Sequence, residues 1–342
     1  MSASVTAGPG EPGLAGPPRR DQPTPAALRV ALAVLAGIVL LAATAWWWDL
    51  TGPVPAVQPL YLAVPVAALI LLALGARARQ RVAASLAAAA LALSGVAIVP
   101  VLAAPLTAPS VPNPQRQLTV LAQNLEYGGA DSQQLTAEVL GRDVDVLVLT
   151  EVDAAYLAHL AGGDLRRRLP YDSGDLRPGG SPGTAVLSRF PMRVLDADLG
   201  RRAGEHFQQP VVSVDVDGRE VMLHAVHPLS PTSRSRLPRW RAGLGELAAW
   251  QRAQGQDTPV VLAGDFNAGW PHPAFREVAD GMTDTLAATG QAWRATWPID
   301  QRFPAFAQID HILVRGGEVA GAGTIRLDGT DHAGVWARLL LA

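Results

Sequence analysis

Val260-Val261-Leu262-Ala263-Gly264-Asp265-Phe266-Asn267 is the stretch on which the reading of this chain turns. A β-branched apolar run stops at a glycine, and an Asp and an Asn then stand two residues apart. The residues just past the end of a buried strand are where a scaffold presents polar groups at a sheet edge. If the chain stays extended, alternation puts Asp265 and Asn267 on one side. A carboxylate there can orient or deprotonate water, and a neutral amide can hold a phosphoryl oxygen without repelling it. A plain strand followed by an Asx-type turn satisfies the same four residues equally well.

Working outward, other apolar runs end in the same way. Leu118–Leu125 reads as a strand that delivers Gln123 and Asn124 at its end. A helix is predicted over Ser132–Leu140 with Ser132 as N-cap. Val144–Thr150 is a buried strand that stops at Glu151, taken singly a residue that more often opens a helix than serves as a ligand. Gly183–Ser188 reads as strand then turn. Val211–Val216 and Glu220–Val226 form a hairpin about Asp217-Gly218, whose second arm carries His224 and exits at His227. Three residues separate the two histidines, so they point to different faces, and His227 is the one at the strand exit. Thr232–Gln254 reads as an amphipathic helix with Leu244, Leu247 and Trp250 on one side. Its arginines 234, 236, 239 and 241 form either a solvated face or a phosphate or headgroup contact. Asp310 and His311 interrupt the strand-like run Gln308–Val314, which is costly unless they are paired or functional. Asp331-His332 precedes a last strand, Val335–Leu340, and suits a carboxylate-oriented imidazole facing a phosphate. Five strands in succession delivering Asn, Glu, His or Asp at an end argue for one site at one edge of a sheet core.

The first third of the chain is of a different kind. Residues 1–29 are rich in Pro, Gly and Ala and read as a disordered tail. Three apolar stretches follow within 30–104, roughly Val30–Trp48, Gln58–Gly75 and Val82–Ala104, each near the ~20 residues that cross a hydrocarbon core. Trp46-Trp47-Trp48 closes the first as an aromatic belt would. Arg19, Arg20 and Arg29 precede the first stretch and Arg77, Arg79 and Arg81 fill the second loop, while Asp49–Val57 has no Arg. The positive-inside rule puts the N-terminus in the cytoplasm and everything past the third span outside. A cleaved signal peptide ending near Ala43-Thr44-Ala45 is the rival reading of the first stretch. Residues 105–117, with four prolines, read as a semi-extended linker to a domain over 118–342.

Composition closes off several chemistries. The 342 residues contain no Cys, which excludes disulfides, thiolate metal sites and Cys nucleophiles. All 28 basic residues are Arg and the net charge is −2, so there is no global attraction to nucleic acid. The mean hydropathy of +0.17 is high because of the first hundred residues.

The ordered set QN(124)…TE(151)…H(227)P…GDFN(264–267)…IDH(309–311)…TDH(330–332) resembles the endonuclease/exonuclease/phosphatase superfamily, which includes DNase I-like nucleases, sphingomyelinases and inositol-polyphosphate phosphatases. The resemblance covers about residues 116–342. It implies an α/β fold, a four-layer sandwich of two packed, mostly antiparallel sheets flanked by helices, here preceded by three transmembrane helices. The layout is similar to the VanJ-type membrane phosphohydrolases of actinobacteria, linked to teicoplanin resistance and thought to act on undecaprenyl pyrophosphate. The resemblance further implies Mg²⁺, with Mn²⁺ as a substitute, held by Glu151 with help from Asn124, and Asp331 as a second metal ligand; all-oxygen donors suit a hard cation. It makes Asp265 the group that orients and activates water, and Asn267 the one that positions it or binds phosphoryl oxygens. It has His332, oriented by Asp310, donate to a phosphate oxygen, and His227 contact the phosphoryl group or assist the leaving group. His311 departs from the pattern, since relatives often carry an aromatic there.

The expected activity is a membrane-anchored, extracytoplasmic hydrolase of a lipid-linked phosphate or pyrophosphate. A nuclease is disfavoured by the absence of Lys and of any long basic run beyond Arg166–Arg168. A phospholipase C or sphingomyelinase-type activity is a further alternative. A degenerate binding module would lack a catalytic residue, and none is missing.

Overall fold

The computed structural model describes residues 25–48, 50, 58–174, 176, 183–199, 207–299 and 304–342. Most of the tail expected to be disordered, and nearly all of the loop between the first two apolar stretches, lie outside the described residues.

Three helices are long and apolar enough to cross a membrane. They are α1 (Ala26–Thr44), running on through a 3₁₀ turn at Ala45–Trp47; α2 (Ala63–Arg77), led in by a 3₁₀ turn at Gln58–Leu62; and α3 (Arg81–Leu102). What they bury is mostly small. Ala36, Ala43, Ala68, Ala83, Ala87 and Ala90 are buried, while Val30, Ile38, Leu41, Val66, Leu69, Ile70 and Val96 face outward. A water-soluble bundle does the reverse; small residues inside and branched apolar ones outside suit helices packed in lipid. At Gly75 a Cβ would stand 2.9 Å from the Ala84 nitrogen, so the α2–α3 crossing depends on its absence.

The linker is not a free tether. Its first residues form a short helix, α4 (Ala104–Thr107), and the Val111 N–H donates to Glu318 Oε2 at 2.7 Å. That bond ties the proline-rich stretch to the domain that follows.

That domain begins with β1 (Arg116–Asn124), α5 (Ser132–Gly141), β2 (Val146–Val152), α6 (Ala154–Leu160) and α7 (Asp164–Arg168). Next come β3 (Tyr171–Asp172), β4 (Gly183–Ser188), β5 (Met192–Asp196), β6 (Val211–Val216) and β7 (Arg219–Val226). The remainder is α8 (Leu237–Ala253), β8 (Val260–Asp265), α9 (Pro273–Ala279), β9 (Thr283–Asp284), α10 (Thr285–Ala288), β10 (Asp310–Arg315), β11 (Glu318–Ile325) and β12 (Gly334–Leu341).

The strands make two six-stranded sheets, in the orders β11-β12-β1-β2-β4-β3 and β5-β6-β7-β8-β10-β9. Each is antiparallel except for one central parallel pair, β1–β2 and β7–β8. The sheets pack face to face over Val120, Val148, Val186, Val212, Leu223, Val261, Ile312 and Val335, all fully buried. The outer face of the first sheet is covered by α5, α6 and α7 through Leu135, Val139, Leu160 and Leu165. The outer face of the second is covered by α8 and α9 through Trp240, Leu244, Leu247 and Phe275. This is the four-layer α/β sandwich expected from the motifs.

Several boundaries moved for local reasons. Asp131 rather than Ser132 caps α5, its Oδ1 accepting from the Gln133 and Gln134 N–H groups at 2.8 and 3.0 Å. The helix expected from Thr232 starts at Leu237, because Ser230 pairs with Thr232 and Ser233 with Ser235 in hydroxyl turns first. Glu151 opens no helix: it sits inside β2 at a register shift between Thr150 and Val152, and Asp153 caps the helix that follows.

Candidate active site

The two central parallel pairs end at the same edge of the sandwich, and the polar residues at those ends converge. Asn124, at the end of β1, donates from Nδ2 to Glu151 Oε1 at 3.2 Å within its own sheet. It also donates to Asp265 Oδ2 at 3.1 Å on the opposite sheet. One buried amide thus ties the two sheets together at the site. Its Oδ1 accepts from the Glu126 N–H at 2.9 Å.

Asp265 is 2 % exposed and ends β8. Gly264 before it has φ +143°, and a Cβ there would lie 2.2 Å from the Val226 carbonyl oxygen. Only glycine lets β8 approach β7 this closely just ahead of the carboxylate. Both readings of the next residues hold in part. Asn267 turns into left-handed backbone at φ +48° and donates its N–H to Asp265 Oδ1 at 2.7 Å, an Asx-type turn. The same turn keeps Asn267 at the cavity, its Nδ2 held by the Pro228 carbonyl at 3.0 Å and lying 3.4 Å from Asp265 Oδ2.

Asp310 opens β10 directly opposite Asp265 in the antiparallel register. It does not interrupt the strand; it starts it. His332 donates from Nδ1 to Asp310 Oδ2 at 2.9 Å, which leaves Nε2 3.9 Å from Asp265 Oδ2 and 3.7 Å from Asp331 Oδ1. Burial alone would lower the imidazole pKa, but Asp310 and Asp265 outweigh it and hold His332 protonated up to about 10. Burial likewise pushes the Asp265 carboxyl above the usual range, opposed by the His332 charge. Glu151 is raised as well, mainly by burial and against its bond from Asn124.

His227 is stacked on Phe207 with centroids 4.0 Å apart, and its Nε2 lies 3.7 Å from Glu151 Oε1 and 3.8 Å from Asp265 Oδ2. Burial, then the neighbouring His332 charge, pushes its pKa down to about 3, so it is neutral. His224 does point elsewhere: it packs edge-on against Trp250, far from these groups in the chain's alternation. His311 is structural, with Nδ1 2.8 Å from Asp284 Oδ2 and its ring against Phe275.

Glu151, His227, Asp265, Asn267 and His332 line a cavity of about 280 Å³, with Asn124 and Asp310 bonded to them from outside its wall. Asp331 is on its wall, its Oδ2 accepting from Trp297 Nε1 at 2.7 Å and its N–H donating to Glu126 Oε2 at 2.7 Å. Trp297 also lines the cavity. Thr296 instead braces it from below, its Oγ1 accepting from the Asp310 N–H at 3.2 Å. The sequence reading missed Glu126, Tyr127, Phe207 and Pro59, all on the wall; Arg236, one of the arginines left between a solvated face and a phosphate contact, is on it too. Glu126 carried a legible signal, a carboxylate two residues past the strand that ends at Asn124; Pro59 carried none.

The donor set fits a hard divalent cation. Glu126, Glu151, Asp265 and Asp331 face one cavity whose compensating charge is His332 and the rim residue Arg236. Asp265, Asp310 and His332 also bring ligand atoms within 4.8 Å of one another. His332 Nδ1 is already taken up by Asp310, however, and the oxygen donors on the Glu151 side suit a hard divalent cation better.

The comparisons agree with this geometry. The pattern of the endonuclease/exonuclease/phosphatase family matches residues 121–332. A protein of Escherichia coli K12 described as uncharacterized protein YbhP is 26% identical over 187 residues, which is 50% of this chain and 68% of that one. The crystal structure of D. rerio TDP2 complexed with single strand DNA product superposes with a TM-score of 0.53 at 16% identity, over 66% of this chain and 99% of that one. A humanized D. rerio TDP2 gives 0.52 at 18% identity, over 65% and 98%. With more than half of its length matched and the motif residues gathered at one sheet edge, the chain belongs to the endonuclease/exonuclease/phosphatase family.

Proposed function

We propose that this protein is a metal-dependent phosphoester or pyrophosphate hydrolase, anchored by three transmembrane helices with its catalytic domain outside the cytoplasm, acting on a lipid-linked phosphate or pyrophosphate such as undecaprenyl pyrophosphate. The observation that carries the chemistry is the array Asp310–His332–Asp265, a fixed imidazolium beside a buried carboxylate whose proton affinity is raised toward neutrality. Such a carboxylate accepts a proton from water in the working pH range. The imidazolium offers Nε2–H to a phosphoryl oxygen as charge builds on it.

Asp265 orients the attacking water and takes its proton, with the Asn267 turn fixing one of its oxygens. Asp310 is a positioning residue that keeps His332 in the right tautomer and orientation. His227, neutral, contacts the phosphoryl group without adding charge. Glu151, Asn124 and Asp331 are the residues that would hold Mg²⁺, which when bound would neutralise phosphate charge and stabilise the leaving oxygen. Arg236, on the cavity wall beside Ser230 and Thr232, supplies a cation for a second phosphate.

The lipid-linked substrate is supported by the helices, whose outward faces are branched and apolar, and by the junction that fixes them to the domain. The test is phosphate release by the purified full-length protein from undecaprenyl pyrophosphate with Mg²⁺, with plasmid DNA and phospholipids assayed in parallel. Release abolished by EDTA and by Asp265→Asn supports the reading. Cleavage of DNA alone overturns the substrate and leaves the phosphoester chemistry standing.

A further inference from the structure

The apolar helices are built into the catalytic domain at one end of the bundle. Trp46, at the end of the first helix, is buried against Tyr61 from the start of the second, with centroids 5.1 Å apart, and faces Trp293 of the catalytic domain at 6.0 Å. Arg276 on α9 lies over the Trp46 ring, 4.5 Å from its centroid, and donates to the Trp46 carbonyl. Its other amino group donates to the Trp270 carbonyl at 2.7 Å. Gln58, 6 % exposed, donates to the Pro271 carbonyl at 2.8 Å and to the Ala45 carbonyl at 3.0 Å. Buried polar groups satisfied across a junction fix its geometry, since shifting it would strand them.

The next residue, Pro59, stands on the wall of the cavity that holds Asp265 and His332. Trp47 and Trp48, which follow Trp46 in the chain, stay exposed at 45 and 62 %. Tryptophan at the end of an apolar helix marks the membrane–water boundary. The level of that boundary therefore coincides with the cavity.

We infer that the ends of the first two helices complete the substrate site, so that the cavity opens at headgroup depth and a lipid-linked ester enters sideways from the bilayer. Its phosphorus reaches Asp265 past Pro59 while its hydrocarbon chain stays in the membrane. The bundle then acts as a specificity element that favours membrane-resident esters over water-soluble ones. The substrate class rests on the reading under Proposed function; the placement of the cavity does not.

The absence of cysteine allows a clean depth measurement. In the full-length protein, Thr232→Cys labels the cavity rim, and Asp217→Cys labels the β6–β7 turn at the other end of the strand that leads to His227. Each is tagged with bimane and reconstituted into phosphatidylcholine vesicles carrying a shallow doxyl quencher. Quenching several-fold stronger at 232 than at 217 is expected, and equal quenching overturns the placement.

The second arm compares the Gln58→Ala/Arg276→Ala double variant with the parent on undecaprenyl pyrophosphate in vesicles and on bis(4-nitrophenyl) phosphate in solution. The ratio of lipid to soluble rates should fall at least about tenfold, as expected when a tethered site loses its register with the membrane. Equal loss on both substrates, or loss on neither, overturns the inference. Turnover of the soluble ester but not of the lipid by the parent protein itself, with the quenching contrast intact, overturns the substrate reading alone.

Discussion

Asp265 divides its two oxygens between holding still and reacting: Oδ1 is fixed by the Asn267 N–H, and Oδ2 faces Asn124, His227 and His332. Asp265→Asn keeps the shape and removes the proton acceptor. Turnover should fall by about 10²–10⁴, the range of general-base contributions, with an unchanged far-ultraviolet circular dichroism spectrum; near-parental turnover would refute the role. Asp310→Asn tests the positioning argument separately. Removing that carboxylate removes the main influence that raises His332 against burial, so its pKa drops from about 10. The acid form is then lost at lower pH, and the alkaline limb of the kcat profile should move downward by more than one pH unit. A limb that stays in place would mean that His332 is not the acid.

Among the elements, β7 and β8 carry two sharp expectations. Gly264→Ala drives a methyl group into the Val226 carbonyl, and neither backbone can yield without opening the parallel pair. The variant should lose stability by roughly 2–4 kcal/mol, a large single-substitution effect, read from its denaturation midpoint; an unchanged midpoint would show that β8 can shift. His224 lies within β7 with both ring nitrogens unpartnered among the described residues, and burial pushes its pKa down to about 3. The unfolded chain takes up that proton near pH 6.5 and the folded chain does not until about 3. Stability is therefore lost as pH falls through that window. His224→Met should move the acid-unfolding midpoint to lower pH, measured by circular dichroism, and an unmoved midpoint would refute the assignment.

These elements also show what a sequence can and cannot disclose. Gly183–Ser188 and Val211–Val216 were legible to the residue because buried β-branched runs bounded by turn residues have few other uses. The meeting of Asn124, Glu151, Asp265 and His332 was legible through strand-end residues and motif order. The Asp131 cap was obscured because a Ser stands directly beside it, and the α8 start because hydroxyl turns imitate a helix N-terminus. Phe207 and Pro59 were invisible, since their place on the cavity wall comes from a loop and from a helix end brought in over long separations.

At the scale of the whole molecule, four carboxylates around one cavity repel one another, a cost that a bound cation would relieve. The thermal midpoint of the purified protein should rise by several degrees on adding Mg²⁺, by mass action on the folded state. EDTA should reverse the rise, and Glu151→Gln should shrink it, as differential scanning fluorimetry would show. A midpoint indifferent to Mg²⁺ would argue against a site on these residues.

The pairing of β1 with β12 along Arg116–Leu341 has a consequence in time. Gln123 beside Asn124 holds the His332 carbonyl across 209 residues of chain. The earliest and latest parts of the domain must therefore meet before any phosphate can be attacked. Topologies built on such distant pairings fold slowly. Until β12 is in place the first sheet lacks an interior strand, β11 has no partner, and His332 has not reached Asp265. The site can form only once synthesis has delivered the last strand, a delay set by connectivity alone.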